Sequence, residues 1–203
     1  MRHAFVNQGG PRYPDRDKLK RYKVTRLYYE ARDPQISAAF FDELRAISLE
    51  VGIMLSAAWY SDTMVDLARE GDAWVTKLGG NAKQLAVLFD IEYPYQAPGY
   101  ILAWLNEWRL HRPSRMTLWT PAFHQGGWFS PELVGAISYD PNLLVVPQAY
   151  IQDPPIVVDA DLTRCDLTER GLPKGRVGVF YLPGDVAHRE SWDGIVFGFN
   201  ELP

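Results

Sequence analysis

Cysteine is nearly absent: Cys165 is the only one in 203 residues. One thiol makes no intramolecular disulfide and no thiolate metal cluster, and beside Arg164 and Asp166 it reads as incidental rather than as a nucleophile. Histidine is scarce and scattered, at His3, His111, His124 and His188, with no pair at ligand spacing, so no metal is expected. Nor is there a Gly-x-Ser-x-Gly elbow or a phosphate loop. The first turn, Asn7-Gln8-Gly9-Gly10, matches a dinucleotide fingerprint poorly, so no cofactor is expected either. No stretch approaches the 18 or so apolar residues of a membrane span. The N-terminus MRHAFVNQGG lacks the apolar core of a secretory signal. The expectation is a protein made in the cytoplasm, with any extracellular role reached by cell lysis or within a particle such as a virion. Charge of one sign is lacking too: 21 Lys and Arg against 25 Asp and Glu leave a net charge of −4. That gives no electrostatic case for nucleic acid or an anionic membrane as partner.

Apolar and aromatic residues are plentiful. Hydrophobic residues make up 47% of the chain, which is long enough for one substantial core, read as a single domain over 1–203. Seven Trp and eleven Tyr suit either that core or a groove in which aromatic faces stack on sugar rings.

Alternation and punctuation give eight short strands. These are His3–Gln8, Val24–Glu30, Ile53–Trp59, Ala86–Glu92, Arg115–Thr120, Leu143–Tyr150, Arg176–Tyr181 and Gly194–Asn200. Helical or crossover stretches separate them. Ser37 caps a helix over Ala38–Val51 with Gly52 as its stop, Asp62 opens one to Leu78, and Tyr100–His111 presents Ile101, Trp104, Leu105 and Trp108 on one face. Ser130-Pro131 starts another helix. Asp15–Lys23 is a short basic helix or crossover, and Ile151–Pro173 is loop-rich. Strands alternating with helices point to the α/β class, as a compact single-domain (β/α)8 TIM-like barrel with some shortened helices. A doubly wound open sheet is the runner-up.

The stretch around which the rest is arranged is Leu85–Pro94, LAVLFDIEYP. An unbroken apolar run is the mark of a strand buried on both faces of a parallel sheet. It ends in Asp90 and Glu92, which as alternate strand residues project together, roughly 7 Å apart. The C-terminal ends of barrel strands are where barrel enzymes place their chemistry. The predicted rim collects Asn7, Glu30, Trp59, Asp90, Glu92, Trp119, Gln148, Tyr150 and Asn200, an acidic, amide and aromatic set.

Two carboxylates among aromatics and amides suit glycoside cleavage, in which one acid protonates the leaving oxygen and an ionised partner stabilises the cationic anomeric carbon. Glu92 would be the acid and Asp90, deeper in the mouth, the charged partner. Crowding raises the pKa of one of the two. On an N-acetylated sugar the substrate's own amide would be the nucleophile, oriented by Asp90 and bonded by Tyr150 or Gln148. Trp119, Gln148 and Tyr150 would hold sugar, with Asn7, Asn200, Glu30 and Trp59 completing the substrate-binding rim. The competing reading is that Asp90 and Glu92 only cap the barrel and bond loop amides, Arg26 or Arg32.

FDIEYP after its apolar run resembles the Asp-x-Glu strand of the family-25 glycoside hydrolases, the lysozyme-like muramidases of bacteria and phages. MTLWTPAFHQGGW is similar to their fifth strand and following loop, and LLVVPQAYI to their sixth. The resemblance implies a compact barrel, bacterial cell-wall glycan as substrate, and Glu92 and Asp90 as the catalytic pair. It also implies an Asp on the first strand and another near the end of the eighth, where this chain has Asn7 and Asn200. Amides keep the hydrogen-bonding shape and lose two negative charges. Three readings follow: a hydrolase with fewer acids that recruits Glu30, a degenerate glycan-binding barrel of a phage tail or similar particle, and a barrel enzyme acting on a different small molecule.

Overall fold

The computed structural model describes residues 1–6, 13–47, 49–57, 63–80, 84–92, 97–121, 130–148, 150–152, 155–157, 167–187 and 192–203. Eight parallel strands form one sheet: β1 (Arg2–Val6), β2 (Arg26–Glu30), β3 (Glu50–Ser56), β4 (Leu85–Asp90), β5 (Thr117–Thr120), β6 (Leu143–Val145), β9 (Phe180–Tyr181) and β10 (Gly194–Val196). Between the sixth and seventh of these lie β7 (Tyr150–Gln152) and β8 (Pro155–Val157), which pair only with each other. The order of the main sheet is β6-β5-β4-β3-β2-β1-β10-β9. Beyond the ladder, parallel bridges Val145–Val177 and Gln148–Phe180 join the two ends of that order. The amides of Gly178 and Phe180 donate to the Val145 and Pro147 carbonyls, each at 2.9 Å. The sheet thus curls round into the expected barrel.

Six α-helices among the described residues alternate with the strands: α1 (Arg16–Tyr22), α2 (Ala38–Ala46), α3 (Met64–Leu78), α4 (Pro98–His111), α5 (Pro131–Tyr139) and α6 (Pro183–Ala187). Their starts follow side-chain chemistry. Asp15, Ser37, Thr63 and Ser130 each accept a first-turn amide that would otherwise lack a partner. Pro98 and Pro131 open α4 and α5, where a missing N–H costs nothing.

Alternation along each strand divides the core in two. One set of side chains packs outward against the helices. Phe89 meets Trp104 and Trp108 edge to face, with centroids 5.0 Å apart in each pair, and the Trp108 indole donates to Thr117 Oγ1 at 2.8 Å. The other set fills the lumen: Phe5, Tyr28, Met54, Ala86, Leu88, Leu118, Val146, Phe180 and Ile195. At the N-terminal end of the lumen Arg26 is buried and pairs with Glu50 at 2.7 Å. Beside it, burial and the Arg26 charge push His3 down to about 3, so the ring is neutral, and it shares a hydrogen bond with the Tyr28 hydroxyl 3.2 Å away.

Several expected boundaries move. The third strand, expected over Ile53–Trp59, runs from Glu50 to Ser56, and α2 stops at Ala46 instead of Val51. Gly52 is therefore no helix stop. It lies mid-strand because the Tyr28 ring occupies the place of a side chain: a Cβ there would meet Tyr28 Cδ1 at 2.4 Å. The eighth strand ends at Val196 rather than Asn200, since Gly198 turns left-handed at φ 69° into a 3-10 turn over Phe199–Glu201. The sixth ends at Val145 before Pro147. Tyr150 falls instead in β7, paired antiparallel with β8 inside the segment expected to be loop.

Candidate active site

β4 delivers the acid pair as its pattern requires. Val87 and Phe89 point to the helices, whereas Ala86, Leu88 and Asp90 point into the lumen. Asp90 is the last strand residue, and Glu92 follows two residues on, half-buried at the C-terminal mouth. Gln148, carried past the end of β6, bridges the two. Its side-chain amide donates to Asp90 Oδ1 at 3.4 Å and to Glu92 Oε1. The Gln148 backbone is fixed independently, its amide donating to the Pro121 carbonyl at 3.1 Å. One residue thus sets the spacing of both carboxyl groups.

Asp90 rests on the apolar side chains of the lumen. Burial, first, and then the adjacent Glu92 charge and a hydrogen bond to Glu92 raise its pKa well above the usual carboxylate range, with a hydrogen bond from Ser56 acting the other way. A carboxyl group removed from water and set beside another acid keeps its proton. Burial and the neighbouring acid thus favour the protonated form of Asp90. The sequence-based assignment has Asp90 as the charged member and Glu92 as the protonated one, the arrangement reached once a proton passes from Asp90 to Glu92.

The remaining rim residues divide. Glu30 faces the lumen at the end of β2, two strands from β4 and level with Leu88 rather than Asp90, and ion-pairs with Arg32 at 3.1 Å. Trp119 is not brought to the mouth. It points outward, fully buried among the helix-facing side chains, because residues alternate along β5 and Leu118 takes the lumen side. No sugar can stack on it there. Its indole N–H donates to the Ile91 carbonyl at 3.3 Å, so it anchors from outside the peptide between the two acids. Asn200 lies in the 3-10 turn after β10, with its carbonyl accepting from Lys18 Nζ at 3.1 Å. Asn7, Trp59 and the side chain of Tyr150 lie outside the described residues. Of the cations offered as partners for the acids, Arg26 is at the opposite end of the barrel with Glu50, and Arg32 is on Glu30.

Two hydroxyls escape the sequence reading. Ser56 and Thr120 stand level with Asp90 on the neighbouring strands, paired with it in register. Both are buried. Setting β3 three residues earlier would have put Ser56 at a strand end, and counting two past Leu118 would have put Thr120 beside the acid.

No protein-family model matches the sequence, and no curated protein does. Solved structures do match in shape. The catalytic domain of a hyperthermophilic chitinase from Pyrococcus furiosus superposes with a TM-score of 0.61 at 12% identity, over 97% of this chain and 82% of that one. The glycoside hydrolase domain of PelA from Pseudomonas aeruginosa gives 0.60 at 13% identity, over 100% of this chain and 97% of that one. A family GH25 lysozyme from Aspergillus fumigatus gives only 0.49 over 77% of this chain, too little to bear on the family the sequence resembles. At such identities the likeness is one of fold: the chain is a TIM-like barrel of the kind found in these glycoside hydrolase structures.

Proposed function

We propose that the protein hydrolyses a glycan, with Glu92 as the acid that meets the leaving oxygen and Asp90 as the buried partner behind it. The observation that carries this is the acid pair itself: a raised-pKa carboxyl hydrogen-bonded to a second one, both held by a single amide at the mouth of a barrel. Such a pair holds a movable proton. On substrate binding the proton passes from Asp90 along their hydrogen bond to Glu92, and from Glu92 to the glycosidic oxygen. The bond from the anomeric carbon to that oxygen breaks, and its electron pair leaves with the departing alcohol. The Asp90 carboxylate then stabilises the cationic carbon. Water adds there and returns a proton to Glu92, completing hydrolysis. Where the sugar carries an N-acetyl group, its amide oxygen bonds the carbon first and water opens that ring afterwards.

Bacterial cell-wall glycan is the substrate class we favour, on the resemblance of FDIEYP to the lysozyme-like muramidases. The chitinase and PelA barrels support a polysaccharide of some kind. The test is release of reducing ends from purified peptidoglycan and from chitin oligomers by the wild type and by Glu92→Gln. A general acid contributes roughly 10²–10⁴-fold, so loss of that order is expected in the variant. Equal release by both proteins would remove Glu92 from the chemistry.

A second reading is favoured by one observation. Glu30, the acid available to replace the charges absent at Asn7 and Asn200, is tied to Arg32. A barrel left with two acids would then recognise surface glycan without cutting it, as a component of a phage tail. Retained cell-wall binding with no reducing ends from any glycan would select that reading.

A further inference from the structure

Thr120 is the last residue of β5 and is 1% exposed. It points into the lumen: Thr117 Oγ1, three residues earlier, meets the α4 indole, Trp119 lies among the outward side chains, and Leu118 is in the lumen cluster. Its hydroxyl is buried and has no hydrogen-bond partner among the described residues. A hydroxyl so placed costs stability unless some state of the protein satisfies it. Because the oxygen is shut off from solvent, an incoming ligand does not reach it directly. Among the described residues, the partner within reach is a side chain already beside it. In register that neighbour is Asp90, which has Ser56 level with it on β3 and Thr120 level with it on β5.

We propose that Thr120 is a positioning residue whose hydroxyl donates to Asp90 once that acid has given up its proton. The inference rests on the proton transfer described above. Protonated Asp90 is satisfied by Ser56, Gln148 and its bond to Glu92. When the proton leaves, the Asp90–Glu92 bond loses its hydrogen, and the new, buried carboxylate needs another donor. Thr120 supplies it by turning about one side-chain bond. The donor is thus idle in the resting enzyme and engaged in the activated one, so it favours the charge only when the charge forms.

The experiment is a titration of the Asp90 carboxyl by carbon-13 NMR, assigned with Asp90→Asn, in the wild type, Thr120→Val and Thr120→Ser. Valine keeps the shape and removes the donor, whereas serine keeps the donor. The charged group acting on Asp90 is Glu92, just past the end of its strand; Glu30, paired with Arg32, lies beyond β3 at the end of β2, and none of these is altered. A hydrogen bond to a charged group is worth enough to move an ionisation constant about tenfold or more. The Asp90 midpoint should therefore rise by about one pH unit in Thr120→Val and stay near the wild type in Thr120→Ser. An unchanged midpoint in Thr120→Val would overturn the inference, as would equal shifts in both variants, which would mark a packing effect. The titration needs no substrate. A wild type that cleaves no glycan would thus refute the hydrolase reading and leave the Thr120 result to stand or fall alone. If cleavage is found, the pH profile of kcat/KM should move with the NMR midpoint.

Discussion

Gly52 offers the sharpest test of how the lumen is packed beneath the acids. It stands in register between Tyr28 and Ala86, and a Cβ added there would lie 2.4 and 2.5 Å from two Tyr28 ring carbons and 3.1 Å from the Ala86 carbonyl. The carbonyl belongs to a sheet ladder and does not give way, so in Gly52→Ala the ring must. Tyr28 is fully buried, with its hydroxyl 3.2 Å from His3 Nδ1. Displacing it adds overpacking, about 1–3 kcal/mol, to the loss of a buried hydrogen bond, about 1–3 kcal/mol. The expected destabilisation is about 4 kcal/mol, a fall in Tm of roughly 10 °C for a chain of this size. Urea denaturation followed by tryptophan fluorescence measures the first, and a thermal scan the second. A double-mutant cycle isolates the cause. Tyr28→Leu alone leaves a cavity costing about 3 kcal/mol, and the methyl group added by Gly52→Ala should partly fill it. The double variant should then be milder than the sum by at least about 1 kcal/mol. Gly52→Ala within about 0.5 kcal/mol of wild type, or strictly additive effects, would refute the argument that the missing side chain makes room for Tyr28.

Two further outcomes follow from charge and burial. The unfolded chain ionises Asp90 near pH 4, about 3.9 for a free Asp side chain, whereas the folded chain keeps the proton to higher pH. Stability from this group is full below that pH and is lost as pH climbs toward the folded value, at up to about 1.4 kcal/mol per pH unit. Asp90→Asn lacks that slope, so its advantage over wild type in urea should grow from pH 4 upward; parallel curves would contradict the raised pKa. Asp140 ion-pairs with Arg109, both largely buried, and its other oxygen accepts the Asn142 amide at 2.9 Å. Burial already works against the Arg109 charge, so Asp140→Ala should cost about 2–3 kcal/mol, at or below the figure for breaking a fully buried pair. A denaturation midpoint like the wild type's would show the guanidinium compensated by the Arg112 and Arg115 carbonyls it also reaches.

The parts of this fold that are legible in the sequence are those governed by local chemistry. The cap residues Ser37 and Ser130, the proline at the start of α5 and the apolar run of β4 all act over a few neighbouring residues, and all behave as read. Long-range packing is not legible. Gly52 looks like a helix stop until Tyr28, 24 residues earlier, is seen to need its space. Trp119 looks like a sugar platform until the alternation of β5 is anchored by Thr117 on Trp108, and one residue of phase then decides between mouth and core. The same phase hides Thr120. Asp90 and Glu92 stand out because a charged pair ending an apolar strand is conspicuous in any register. Which of them holds the proton depends on burial and on Ser56, and no spacing along β4 encodes either.

The way the barrel closes bears on when the site can exist. Among the described residues the β6 and β9 edges meet through isolated bridges, and one of them, Gln148–Phe180, uses the residue whose side chain joins the two acids. A growing chain has both carboxyl groups once β4 is made, yet Gln148, whose side chain joins them, lies 56 residues beyond Glu92, and Phe180, which bridges to Gln148, some ninety. The clasp on the acid pair is thus a long-range feature, completed late in the chain at the seam where the barrel closes.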